Sequence, residues 1–288
     1  MKLVTYLYEE AETVGMIAEG HDIVPLSSVV SSMLAFIKLG AKGLTRAEEL
    51  GNQTSESLSL DQVKLLAPIP HPARNIMCLG KNYAAHAVES YQAWGEKVEL
   101  PEFPVIFTKA TTAVNGPFSQ IPFDADVSTE IDFEAELAVI IGRDGRNIRR
   151  EEAMAYVYGF TVMNDVTARD LQRQHKQFFK GKSLDGSAPL GPWIVTADEI
   201  NDPQNLQITC SVNGVKKQDG NTNQMIFDIA ETIVQLSKGM TLLAGDIIAT
   251  GTPSGVGFAR TPPEFLKPGD EVICSIEKVG TIRNRIAG

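Results

Sequence analysis

The stretch Asp132-Phe133-Glu134-Ala135-Glu136-Leu137-Ala138-Val139-Ile140-Ile141-Gly142 constrains this chain more than any other. Its first residues alternate polar and apolar, the period-2 pattern of a β-strand. On such a strand Asp132, Glu134 and Glu136 share one face, while Phe133, Ala135, Leu137 and Val139 share the other. The strand then runs into an apolar core, where neighbouring carboxylates repel one another at low dielectric. A fold that holds it must neutralise them by raised pKa values, by basic partners or by a divalent cation. Two residues along a strand separate the Glu134 and Glu136 Cβ atoms by roughly 6.5–7 Å. Both carboxylates can therefore converge on one ion. An all-oxygen set without His or Cys suits Mg²⁺ or Mn²⁺ better than Zn²⁺. The plain alternative is a solvated acidic sheet face.

Composition narrows the context. At 288 residues, 43% hydrophobic and 22% charged, the chain can build one large core, or a small domain attached to a larger one. A net charge of −10 argues against nucleic acid or an anionic membrane as partner. Cys78, Cys210 and Cys274 are odd in number, widely spaced and set in apolar runs, which predicts buried thiols in a reducing compartment. There is no long apolar region at the start and no apolar run of about 18 residues anywhere. Neither a signal peptide nor a transmembrane helix is expected, and a cytoplasmic location is.

Residues 1–70 read as a small module: short strands over 3–8, 13–18 and 22–25, then helices over 29–39 and 45–51, the second with Thr45 and Glu48 as a capping box. Pro68-Ile69-Pro70-His71-Pro72 is the candidate boundary, leaving 71–288 as the larger domain. There, strand signals recur at 75–80, 105–109, 132–141, 156–164, 193–196, 206–212, 246–250 and 271–276. Helices are few, at 82–90, 150–156, 168–177 and 228–237. The pattern predicts an α+β, β-dominated fold rather than regular βαβ alternation.

Several segments carry candidate chemistry. The apolar strand ending at Asn164-Asp165 displays Asp165 where it can add a third ligand, although taken alone it reads better as an ordinary helix N-cap. His86 and Glu89 stand i, i+3 on a short helix, so the carboxylate can orient the imidazole for water activation. A surface pair is the plain alternative. Lys182 lies in the Gly-flanked run 180–192, suited to placing an ammonium near an anionic intermediate. Thr250-Gly251-Thr252-Pro253-Ser254-Gly255-Val256-Gly257 can present backbone N–H groups to a carboxylate or enolate. Asp132 is expected to make a structural hydrogen bond.

Together the segments GKNYAAHAVE, DFEAELAVIIG, GFTVMNDVTARDLQ, KGKSLDGSAPLGPW and ATGTPSGVG resemble the fumarylacetoacetate hydrolase family over about residues 71–288, in family order and spacing. The resemblance is to its shorter bacterial acylpyruvase and 2-hydroxyhepta-2,4-diene-1,7-dioate isomerase-like members. It implies a mixed β-sandwich roll, usually a homodimer, binding Mg²⁺ or Mn²⁺ (Ca²⁺ as a stand-in in crystals). It implies Glu134, Glu136 and Asp165 as metal ligands, and His86 and Glu89 as the water-activating dyad on a lid. Lys182, Gln172 and Thr252 would contact substrate or intermediate, and Lys81 stands where relatives often carry a basic or polar residue. The activity implied is hydrolysis of a C–C bond in a β-diketo acid, an acylpyruvate or fumarylacetoacetate-like substrate, through a metal-stabilised enolate. The alternative is an isomerase, tautomerase or decarboxylase of 2-hydroxymuconate-like or oxaloacetate-like 2-oxo acids at the same site. Specificity is expected in the lid and its continuation over 91–103, where Tyr91 and Trp94 would close over the acyl tail, with a core or dimer-contact role as the equal alternative.

Overall fold

The computed structural model describes residues 1–18, 22–53 and 57–288. The chain begins with strands β1 (Lys2–Tyr8), β2 (Ala11–Ile17) and β3 (Asp22–Pro25), then helices α1 (Met33–Lys38) and α2 (Ala41–Gln53). Next come β4 (Ile76–Gly80), α3 (Ala84–Ala93), β5 (Val105–Lys109), β6 (Ala135–Ile141), α4 (Arg150–Ala153) and β7 (Val157–Asn164). Helices α5 (Arg169–His175) and α6 (Phe179–Lys182) lead into β8 (Ala188–Thr196). The remaining elements are β9 (Gln207–Val212), β10 (Val215–Asn221), α7 (Ile229–Ser237), β11 (Ile247–Ala249), β12 (Glu271–Ile276) and β13 (Gly280–Arg285). Strands dominate a mixed α+β fold, and no helix among the described residues is long and apolar enough to cross a membrane.

Along its main path the large sheet runs Leu58–Ser59, β3, β2, β1, β8, β7, β6, β11, β4, β5. Its pairings are antiparallel except β11 with β4 and Val114–Asn115 with β8. A second sheet, in the order β10, β9, β12, β13, covers one face of the first. Leu137, Val139 and Ile141 of β6 pack there with Ile208, Cys210, Val272 and Cys274. On the opposite face Ala138 and Ile140 join Phe36 and Ile37 of α1. Covered on both sides, β6 is wholly buried. A strand in that position reads as a continuous apolar run, which is why alternation stops after Glu136.

The local signals explain most boundaries. Asp228 caps α7 by accepting from Glu231 N at 2.7 Å, and Ile229, Thr232, Ile233 and Leu236 form its buried stripe. Ser32 caps α1 in the same way at 3.2 Å, so the helix starts at Met33 rather than near Val29. The Thr45–Glu48 capping box does not form. α2 already begins at Ala41, and the Thr45 hydroxyl bonds back to Ala41 O at 3.2 Å. β8 extends over Ala188–Thr196, well beyond the expected 193–196. A register shift between Phe160 and Val162 accommodates its Gly-Pro residues opposite β7.

The acidic segment is not one strand. Ile131–Asp132 pairs with Thr167–Ala168, and β6 begins only at Ala135. Across the break at Phe133–Glu134, Glu134 N donates to Asn164 Oδ1 at 3.0 Å and Asp165 N donates to Glu134 O at 2.8 Å. The expected boundary near residue 70 falls between Lys64–Leu65 and β4, and the large sheet continues across it through Lys2↔Val195 and Leu3↔Ile194. Cys78, Cys210 and Cys274 are free and buried.

Ile140 is fully buried on the helix-covered face of β6. Ile140→Ala should cost about 2–5 kcal/mol of folding stability. Chemical denaturation measures this, and a loss under about 1 kcal/mol would mean that this face of β6 is not close-packed.

Candidate metal centre and active site

β6 and β7 are antiparallel neighbours, with Ala135 opposite Asn164 and Glu136 opposite Met163. The start of β6 thus meets the end of β7, which brings Glu134, Glu136 and Asp165 together across a gap of about thirty residues. One carboxylate oxygen from each lies within 4.8 Å of the others, and all three residues are buried.

Basic side chains converge on this cluster from three other elements. Lys182 at the end of α6 donates to Glu134 Oε2 and Asp165 Oδ2, both at 2.7 Å. Lys109 at the end of β5 donates to Asp165 Oδ1 at 2.7 Å and Val166 O at 3.0 Å. Arg169 opens α5 and spans two acids, with Nη2 on Glu134 Oε1 at 2.5 Å and Nε on Asp132 Oδ2 at 2.9 Å. Asp132 also accepts from Gly257 N at 2.7 Å and Phe258 N at 3.0 Å, so it anchors the 250–257 loop's end to the cluster.

The ledger of buried charge is uneven. Asp132, Glu134 and Asp165 have basic partners, whereas among the described residues Glu136 has none and accepts from Gly251 N at 2.8 Å. Burial alone would raise the Glu134 carboxyl, but Lys182 and Arg169 outweigh it and hold its pKa down at about 2. Glu136 is pushed well above the usual carboxylate range by burial, reinforced by the fields of Asp165 and Glu134. A buried carboxylate with carboxylate neighbours and no basic partner fits a divalent cation, and the all-oxygen donor set fits Mg²⁺ or Mn²⁺.

His86 stands on α3, with Nδ1 2.9 Å from Glu89 Oε1. Gly255 N donates to both oxygens of Glu89, at 3.0 and 2.9 Å, so the 250–257 loop clamps the dyad. Gly255 adopts φ +106°, and a Cβ there would meet Lys217 O at 2.1 Å, so only glycine fits. His86, Glu134, Glu136, Gln172, Lys182 and Thr252 line one small chamber. Trp94, Gln172, Phe178 and Phe258 line both this chamber and an adjoining open vestibule of about 700 Å³. Trp94 lies tilted against Phe258 at 5.6 Å and meets Phe178 edge-on at 6.4 Å between centroids.

The remaining expected contacts are placed as follows. Gln172 Oε1 accepts from Arg169 Nη1 at 3.1 Å. The Thr252 hydroxyl donates to Ala135 O at 2.8 Å and accepts from Gln218 Nε2 at 2.7 Å, so its one proton is directed at the backbone. Lys81 lines the chamber beside Tyr91 and Trp94. Arg169, Lys109 and Gln218 were not singled out from the sequence. Arg169 had a signal, its i, i+3 spacing from Gln172 on one helix face. Lys109 had none, because a lysine ending an apolar strand reads as an edge residue.

Residues 75–287 match the family described as Fumarylacetoacetate (FAA) hydrolase C-terminal, and the chain belongs to that family. It is 45% identical over 269 residues to the oxaloacetate tautomerase YisK of Bacillus subtilis, covering 91% of this chain and 88% of that protein. The fumarylacetoacetate hydrolase structure from Exiguobacterium antarcticum superposes with a TM-score of 0.86 at 40% identity, covering 100% and 99% of the two chains. A maleylpyruvate hydrolase from Sphingobium sp. SYK-6, solved with manganese(II) and pyruvate, superposes at 0.80 with 29% identity over 100% and 99%.

Glu136→Gln keeps an acceptor for Gly251 N–H and removes a buried charge. In chelator-treated protein at pH 7–8 it should raise folding stability by ~1–3 kcal/mol, because a raised folded-state pKa makes ionisation at neutral pH costly. It should also abolish the stabilisation gained by adding Mg²⁺ or Mn²⁺. Thermal unfolding with and without cation reads both effects. A lower melting point in chelator, with the cation response kept, would contradict this account of Glu136.

Proposed function

We propose that this chain is a divalent-metal-dependent tautomerase that interconverts the keto and enol forms of a short 2-oxo diacid of the oxaloacetate class. The observation that carries the reading is that the acidic triad and the His86–Glu89 pair face one small chamber lined by the rings of Trp94, Phe178 and Phe258, which suits a short diacid better than a long acyl tail. The likeness to an oxaloacetate tautomerase across nine-tenths of the chain supports the same reading, and favours isomerisation over the C–C hydrolysis inferred from the motifs.

Glu134, Glu136 and Asp165 would hold Mg²⁺ or Mn²⁺, which when bound would polarise the 2-oxo group and acidify the neighbouring C–H. Glu89 accepts the Nδ1–H of His86, leaving the Nε2 lone pair to take a proton from C3 of the keto form and deliver it to the 2-oxygen, and to carry it the opposite way on ketonisation. Gly255 fixes Glu89, and through it the imidazole plane. Lys182, already spanning Glu134 and Asp165, keeps positive charge next to the reacting oxygens, and Gln172 and Thr252 shape the floor. Trp94, Phe178 and Phe258 exclude bulk water, which a proton shift does not consume.

A second reading is retained on one observation, the likeness to a maleylpyruvate hydrolase. There His86 and Glu89 would activate water, and the outer vestibule would receive the longer acyl portion.

Decay of the oxaloacetate enol absorbance, followed with Mg²⁺, Mn²⁺ and chelator, tests the proposal. His86→Ala should slow it by about 10²–10⁴-fold while cation binding persists. Tautomerisation that survives full chelation, or is unchanged in His86→Ala, would overturn the assignment. Faster release of pyruvate from acylpyruvates than enol decay would select the hydrolase, and pyruvate formed directly from oxaloacetate would indicate decarboxylation.

A further inference from the structure

The cations lining the inner chamber are not equivalent. Arg169 and Lys182 are each spent on buried carboxylates at 2.9 Å or less. Lys81 is different. Its nearest carboxylate oxygen is Glu96 Oε2 at 3.8 Å, on a side chain 52% exposed. A pair that long and that wet contributes little. Yet the Lys81 side chain is itself only 12% exposed, so its ammonium has lost most of its water without gaining a close counter-ion. Burial accordingly lowers its pKa, with Glu96 opposing only in part.

Aromatic rings hold this charge in place. Lys81 Nζ lies 3.6 Å from the centroid of Tyr91 and 5.1 Å from that of Trp94. Such contacts favour the cation while leaving its N–H donors available. The Lys81 backbone sits at φ +55°, a left-handed conformation that an L-residue other than Asn, Asp or Gly adopts at a cost. Beside it, Trp94 contributes an independent observation: its indole Nε1 is buried and has no hydrogen-bond partner among the described residues. An orphaned donor in a chamber wall costs stability unless a ligand or water satisfies it. Among the described residues Lys81 and Trp94, which both line the chamber, thus carry one weakly paired cation and one N–H without a partner, beside an acidic triad that would hold a metal.

We propose that Lys81 and the Trp94 indole N–H form an anion subsite that reads the second carboxylate of the substrate, selecting 2-oxo diacids over 2-oxo monoacids. This rests on the tautomerase reading above for the identity of the reacting half, but the binding it asserts is separable from catalysis. The diacid spans the chamber: its 2-oxo acid end lies towards Glu134, Glu136 and Asp165, and its far carboxylate lies against Lys81. Tyr91 and Trp94 serve as the posts that hold the ammonium there, and Glu96 keeps its weak contact on the vestibule side.

The test compares two ligands with the same chelating head, malate and 2-hydroxybutanoate, which differ in carboxylate against methyl at the far end. Binding to the Mg²⁺-loaded protein is measured by calorimetry, and KM is measured for oxaloacetate against 2-oxobutanoate. Lys81→Met should weaken malate binding and raise the oxaloacetate KM by about 10–100-fold, with under about 2-fold change for the monoacids. Lys81→Arg should restore most of the difference, and Trp94→Phe, which keeps the ring and loses the N–H, should lose about 3–10-fold on the diacids alone. Equal losses for diacid and monoacid, or no loss in Lys81→Met, would overturn the subsite. If Lys81→Met does not fold, the Trp94→Phe comparison decides alone. A wild-type protein that prefers malate to 2-hydroxybutanoate through Lys81 but tautomerises no 2-oxo acid would keep the subsite and discard the tautomerase reading. Tautomerase activity without that preference would do the reverse.

Discussion

Everything around the site follows from the cost of putting four carboxylates where water does not reach. Asp132, Glu134, Glu136 and Asp165 are each less than a tenth exposed. Ions of one sign at this density are tolerated only when opposite charge arrives close by and well hydrogen-bonded. Lys109, Arg169 and Lys182 deliver it from three elements, and the elements must dock for the charges to meet. The short helices α5 and α6, too short to be stable on their own, gain their anchorage from this docking. The electrostatics of the centre are therefore also the tertiary structure of this half of the molecule.

The balance stops one charge short, and that is where chemistry enters. A fully neutralised cluster would be an inert structural knot. Leaving Glu136 without a basic partner creates a standing demand for a cation, while Lys182 already guards the other two acids. The same economy recurs on the far wall, where Lys81 is held by aromatic faces instead of a buried acid. Among the described residues, one chamber thus has a carboxyl without a basic partner at one end and a lysine without a close counter-ion at the other.

Much of this was legible in the sequence, and for a physical reason. Carboxylates two apart on an apolar strand, an i, i+3 His–Glu pair and a Gly-rich loop are local patterns, and local patterns survive without knowing the fold. The interruption at Phe133–Glu134 was not legible, because it depends on Asn164, thirty residues on, accepting the Glu134 N–H. Nor was the service of Lys109, whose carboxylate partner lies 56 residues away. The Gly-Pro signals within β8 read as a turn, since the register shift that absorbs them belongs to β7 as much as to β8. The wall of Trp94, Phe178 and Phe258 joins three distant segments. The choice of reaction was hidden for a different reason: hydrolysis and tautomerisation use the same ligands and differ in whether water takes part.

The clamp between Gly255 and Glu89 ties two properties that are usually tuned apart. The same carboxylate that pairs with His86 Nδ1 also pins α3 to the 250–257 loop. Because His86 and Glu89 both ride on α3, any displacement of that helix breaks the clamp and carries the pair as a unit away from the acidic cluster. Closing the chamber and bringing the imidazole up to the carboxylates are therefore one motion rather than two.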